Sequence, residues 1–100
     1  MSFEQVLAED RRIAILLSLN ESPDRRVNEM VLRSMLGDLG HTVSREMIRA
    51  DLAFLREHQL VRIETRDLPT GPLQIAELLS SGEDVARGRR HPGIARAPAR

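Results

Sequence analysis

The stretch from Asn28 to Gln59 constrains this chain more than any other. It holds two amphipathic segments, each opened by a capping side chain, with only residues 41–43 between them. Asn28 is a strong N-cap, because its side-chain oxygen accepts an N–H of the first helical turn. Val27 before it and Leu32 after it make a hydrophobic staple. Leu32, Met35, Leu36 and Leu39 then recur at helical spacing as a buried stripe. Gly40 stops this helix, since glycine takes the left-handed conformation there without penalty. Ser44 caps the next helix, with Val43 and Ile48 as its staple. Ile48, Leu52 and Leu55 share one face, flanked by Met47 and Phe54, while Arg45, Glu46, Arg49 and Arg56 point away. That helix ends near His58 and Gln59.

The period then changes to two. Val61, Ile63 and Thr65 alternate with Arg62, Glu64 and Arg66, as in a strand with one buried face. Residues 68–72 carry two prolines and a glycine and form a turn. A second strand follows over residues 73–78, with Leu73 and Ile75 on one face. Ser80 and Glu83 have the spacing of a capping box for a short helix reaching about Arg90. Ahead of all this, residues 2–19 form a first helix, with Ser2 and Gln5 as its capping pair and Ser22-Pro23 as its end. Three helices, a hairpin and a short last helix make a mainly α winged helix-turn-helix: a three-helix core, a two-stranded β-wing and a C-terminal helix.

One hundred residues are enough for one domain. The formal charge is zero, from 15 basic against 15 acidic residues, and every one of those cations is an arginine. The charge is uneven. Residues 1–84 are acidic, whereas residues 85–100 carry Arg87, Arg89, Arg90, Arg96 and Arg100 and no acid. The expected division is a domain over 1–90 and a basic tail without fixed structure over 91–100, where Pro92, Gly93 and Pro98 leave little bulk to bury. The absence of cysteine excludes a disulfide scaffold, a thiol nucleophile and a cysteine-ligated metal. No apolar run reaches the length of a membrane span. Acids at the N-terminus argue against a signal peptide, so a cytoplasmic location is expected. His41, His58 and His91 have no ligand spacing, and no nucleophile–base constellation is legible. Neither a metal, a cofactor nor an enzymatic activity is expected.

The segment from Ser44 to Val61 resembles the recognition-helix region of ArsR-type winged-helix repressors, with Ser44, Ile48, Leu52, Leu55, Leu60 and Val61 at the pattern positions. Gln59 stands where that pattern has glycine. About the first 90 residues are also similar to small proteins of Mu-like prophages labelled ArsR-like regulators. The shared features are Phe3-Glu4, Asp10-Arg11-Arg12, Asn28-Glu29, Val31-Leu32-Arg33, Ala50-Asp51-Leu52, and Gly82 with Asp84 to Gly88. The resemblance implies a transcriptional regulator of phage or prophage type that binds double-stranded DNA as a homodimer.

On that reading Arg45 and Arg49, four residues apart, face bases in the major groove. Ser44 caps the helix and touches phosphate, and Arg62 and Arg66 contact the DNA backbone. The other reading of the same charges is a solvated face, with Glu46 and Arg49 paired across one turn. The rival function is a non-enzymatic protein-interaction module, a phage assembly or packaging accessory with a phage or host protein as partner. The acidic body and the mixed charge of the third helix favour it. The basic tail and the helix-turn-helix favour DNA.

Overall fold

In the computed structural model, which describes residues 2–98, the elements run α1 (Phe3–Glu21), a 3-10 turn (Pro23–Arg25), β1 (Arg26–Asn28), α2 (Glu29–Asp38), α3 (Arg45–Glu57), β2 (Val61–Leu68), β3 (Gly71–Leu78) and α4 (Ser80–Ala86). This is the expected winged helix-turn-helix, with one addition. Residues 26–28 pair with β3, so the wing strands belong to a three-stranded antiparallel sheet of order β1-β3-β2.

The helices start where their caps require. Ser2, Asn28 and Ser44 each accept an N–H three residues on, at 3.1, 2.9 and 3.2 Å. Gly40 closes α2 at φ +93°, and the His41 N–H donates back to the Leu36 carbonyl. Leu39, expected in the buried stripe, is exposed, because the helix ends at Asp38 and leaves Leu39 outside its last turn. The capping box expected at Ser80 does not form. β3 runs to Leu78, so Leu79 is the N-cap and Ser80 is already helical.

The core joins Ile13, Ile15, Leu16 and Leu19 of α1 to Leu32 and Leu36 of α2 and Ile48, Leu52 and Leu55 of α3. The sheet adds Val61, Ala76 and Leu78 on its inner face. Leu73 and Ile75 share a face with Glu77, opposite to Ala76 and Leu78. The N-terminal turns of α1 extend beyond this core and leave Phe3 76% exposed.

Residues 91–98, expected as an unstructured basic tail, lie against α1 and α3. Ile94 is buried in the core, Ala95 N donates to the Glu9 carbonyl, and Arg12 Nη1 donates to the Gly93 carbonyl at 2.8 Å. Phe54 stacks on His58, which meets His91 edge-on, and the Arg12 guanidinium sits 3.8 Å over the Phe54 ring. A buried isoleucine, an arginine anchor, a backbone hydrogen bond and a ring contact together hold a segment that composition marks as loose. Arg100 lies outside the described residues.

Two backbone positions at the junction of α3, β2 and α4 are under opposite constraints. Gln59 holds φ +60°, a left-handed conformation that costs a side-chain-bearing residue about 1 kcal/mol. Gly82 packs so closely on the Leu60 carbonyl that a Cβ would collide with it. Urea denaturation is therefore expected to show Gln59→Gly stabilised by about 1 kcal/mol, and Gly82→Ala destabilised by about 1–3 kcal/mol.

Candidate functional site

Glu29 opens α2, in phase with Leu32 and Leu36, and so it points inward rather than to solvent. It is 2% exposed. A carboxylate in that position must be neutralised and fully hydrogen-bonded. Three groups do this. Arg45 donates from Nε to Oε1 at 3.1 Å; Arg49 donates from Nε to Oε1 at 2.8 Å and from Nη2 to Oε2 at 2.9 Å; the Gln74 N–H donates to Oε2 at 2.6 Å. Burial alone would push the Glu29 pKa up. The Arg49 fork, the Gln74 amide and Arg45 outweigh it and hold the pKa down at about 2. Both guanidinium groups also donate from Nη2 to the Pro72 carbonyl. One carboxylate thus gathers the start of α2, the first turn and a half of α3, and the wing.

Arg45 and Arg49 were expected to point away from the core with their charge open to a ligand. They are on an accessible side of α3, with side chains 46% and 31% exposed, but their charge is shared with Glu29. An open stripe of the helix lies beside them: Glu46, Ala50, the half-buried Ala53, and Glu57, at helical spacing. Ser44 Oγ is occupied as an acceptor for Met47 N.

Arg62 and Arg66 stand apart from this cluster, on the outer face of the sheet. Arg62 pairs with Glu77 directly across the strands, at 2.9 Å. Arg66 and Arg26 both reach Glu64, at 2.7 Å each, and those hydrogen bonds lower the Glu64 pKa. The structure brings Arg45 and Arg49 together with the wing base and keeps Arg62 and Arg66 in a separate charge lattice.

A second buried carboxylate, Asp51 on α3, is 2% exposed and accepts from Arg11 Nε at 2.7 Å, with Arg12 Nε at 3.6 Å. Beside Arg11 on α1, the Asp10 carboxylate lies 2.7 Å from His41 Nε2 in the turn between α2 and α3. His41 and the charge cluster 10–12 are therefore fastenings of α1.

Sequence reasoning missed Glu29 as a member of the site. The available signal was its phase, three residues before Leu32 and seven before Leu36, an acid at a core-facing position of a helix. Asp51, between Ile48 and Leu55, carries the same signal.

A three-helix core whose third helix is braced against a β-hairpin is a winged-helix domain, and the comparisons agree. The chain matches no protein-family model. It is 39% identical over 92 residues, covering 91% of each chain, to the uncharacterized protein gp26 of Escherichia phage Mu, and it belongs to that protein's family. It is 34% identical over 64 residues, 64% of this chain and 62% of the relative, to an uncharacterized protein of Haemophilus influenzae. Among solved structures it is similar to Sco3205, a MarR family transcriptional regulator from Streptomyces coelicolor solved in complex with DNA. The identity is 27% and the TM-score 0.64, over 90% of this chain and 55% of that one. The chain thus spans about half the length of that regulator. A PadR family transcriptional regulator from Eggerthella lenta shares the fold at 19% identity and a TM-score of 0.60, over 84% of this chain and 74% of its own. TA0346 from Thermoplasma acidophilum does so at 18% and 0.71, over 86% and 80%. Among the described residues, no helix is long and apolar enough to cross a membrane.

The Glu29 clasp makes stability depend on pH with a definite sign. The folded pKa of about 2 lies below the ordinary 4.5, so the carboxylate's contribution is complete above about pH 4.5 and fades as pH falls toward 2. A lowering of that size is worth on the order of 3 kcal/mol. Urea titrations between pH 2 and 6 are expected to show this loss in the wild type and a shallower limb in Glu29→Gln, where Glu64, whose pKa is also lowered, still contributes.

Proposed function

We propose that the chain is a DNA-binding transcriptional regulator of phage or prophage type, ArsR-like in its third helix, that lays residues 44–58 in the major groove. The likeness over 90% of the chain to a regulator solved on DNA carries this reading. The accessible side of α3 supports it. Ala50 and Ala53 let the helix backbone approach base edges closely, and Ala methyls suit thymine methyl groups. Arg45 and Arg49 flank that stripe as hydrogen-bond donors, Ser44 sits at the helix N-terminus near phosphate, and Arg62 and Arg66 border the duplex from the wing. A homodimer in the cytoplasm fits the exposed Phe3 and Val6 on the projecting part of α1.

A second reading is a protein-interaction module, with a phage or host protein as partner. A groove of about 420 Å³ between α2 and the wing favours it, lined by Met30, Leu68, Pro72 and Leu73 together with Arg33, Arg45 and the arginine-paired Glu29. That lining suits a polypeptide with apolar and acidic side chains better than it suits a duplex.

Binding of random and genomic DNA duplexes across a salt series separates the two. Ala50→Glu sets an acid in the middle of the open stripe without touching the Glu29 clasp. Its sequence-dependent affinity is expected to fall at least about tenfold, with thermal stability unchanged. Removal of charge at Arg89, Arg90 and Arg96 is expected to weaken binding to all sequences alike and to lower the salt slope. Substitution is the appropriate probe of this segment, because truncation would also remove the buried Ile94. Absence of wild-type binding at low salt, or an Ala50→Glu protein that binds normally, overturns the DNA reading.

A further inference from the structure

We infer that Glu29 is a positioning residue that presets Arg45 and Arg49 as a two-pronged donor for consecutive acceptors on a DNA duplex. The inference rests on the DNA-binding reading. A guanidinium carries five N–H donors in a rigid fork. Arg45 commits Nε to Glu29 and Nη2 to Pro72; Arg49 commits Nε and Nη2 to the same two groups. Among the described residues nothing bonds either Nη1. Each arginine therefore keeps one amino group for a ligand while the other edge is locked. Neither can swing away without leaving a carboxylate that is 2% exposed short of a partner.

Both guanidinium groups converge on Glu29 Oε1 and the Pro72 carbonyl, so the prongs are held side by side within two hydrogen-bond lengths, roughly 6 Å, on the scale of one to two base steps. The locked edges also index the wing, because Pro72 and Gln74 lie at the start of β3 and meet the same cluster. Two cations against one anion leave the cluster a net charge of about one, so it offers geometry at the expense of general attraction for phosphate. Removing an acid from a DNA-binding face ordinarily strengthens binding. Here it is expected to strengthen binding to any sequence and to weaken discrimination between sequences.

The test compares wild type with Glu29→Gln and with the double variant Arg45→Lys, Arg49→Lys. The probes are the duplex best enriched from a random library by the wild type, and a random-sequence duplex. In Glu29→Gln the salt slope on random DNA is expected to steepen by about one and random-duplex affinity to rise severalfold, while the ratio of selected to random affinity falls about tenfold. The lysine variant keeps the charge without the fork, so its ratio is expected to fall with the slope unchanged. Variants that fold and keep the wild-type ratio overturn the inference. So does an equal loss on both duplexes that tracks lost stability, the mark of a merely structural role. If Glu29→Gln does not fold, the lysine variant decides.

Arginine Nε–H exchange, read by NMR on the wild type without DNA, reports the clasp independently. Slowly exchanging signals assigned to Arg45 and Arg49 are expected, beside that of Arg11 on Asp51, and averaged signals from Arg45 and Arg49 overturn the preset. If those signals are present and no duplex is bound, the DNA-binding reading has failed rather than the clasp.

Discussion

A buried carboxylate is tolerable only when charged donors surround it, and two such carboxylates organise this domain. Glu29 faces inward from the start of α2, and Asp51 faces inward from the middle of α3. Each draws arginines from a different element: Arg45 and Arg49 from α3 in the first case, Arg11 and Arg12 from α1 in the second. α3 therefore receives an anion on one side and presents one on the other, and its orientation about its own axis is fixed by both. The use of arginine as the cation follows from this. A guanidinium spans two acceptors at once and still reaches a carbonyl, as Arg49 does, whereas an ammonium is a single point of charge.

The same commitments shape what the surface can do. Of the arginines in the described residues, Arg56, Arg90 and Arg96 have neither an acid partner nor a side-chain hydrogen bond in the fold. The open stripe of α3 is bounded by Glu46 and Glu57. Charge alone attracts nucleic acid weakly to such a face. On the proposed DNA-binding reading, discrimination has to come from shape and from the fixed direction of a few donors, which are contacts that lose strength quickly when a side chain is misplaced.

Most of the architecture was legible because local rules decide it. Asn28, Gly40 and Ser44 each act through neighbours within a few residues, and the change of period after Leu60 marks the wing. The misses have the opposite character. β1 is three residues long and exists because β3 offers it an edge, with partners about fifty residues away. Glu29 finds its partners 16, 20 and 45 residues along the chain. Ile94 holds the C-terminal segment through contacts made in space, though composition there is that of a loose tail. The candidate site was legible as a pair of arginines and illegible as a cluster, because the acid that orders it reveals itself only by its helical phase.

Asp10, Arg11 and Arg12 are consecutive, so their side chains leave α1 about 100° apart. Each grips something different: His41 in the turn, Asp51 on α3, and the Gly93 carbonyl of the C-terminal segment. The helix behaves as an indexed shaft. Sliding it by one residue turns all three grips to the wrong neighbour together, so insertions or deletions within the gripped length cannot be absorbed piecemeal. Ahead of Asp10, where Phe3 and Val6 project from the body, the shaft can be lengthened or shortened without disturbing its bearings.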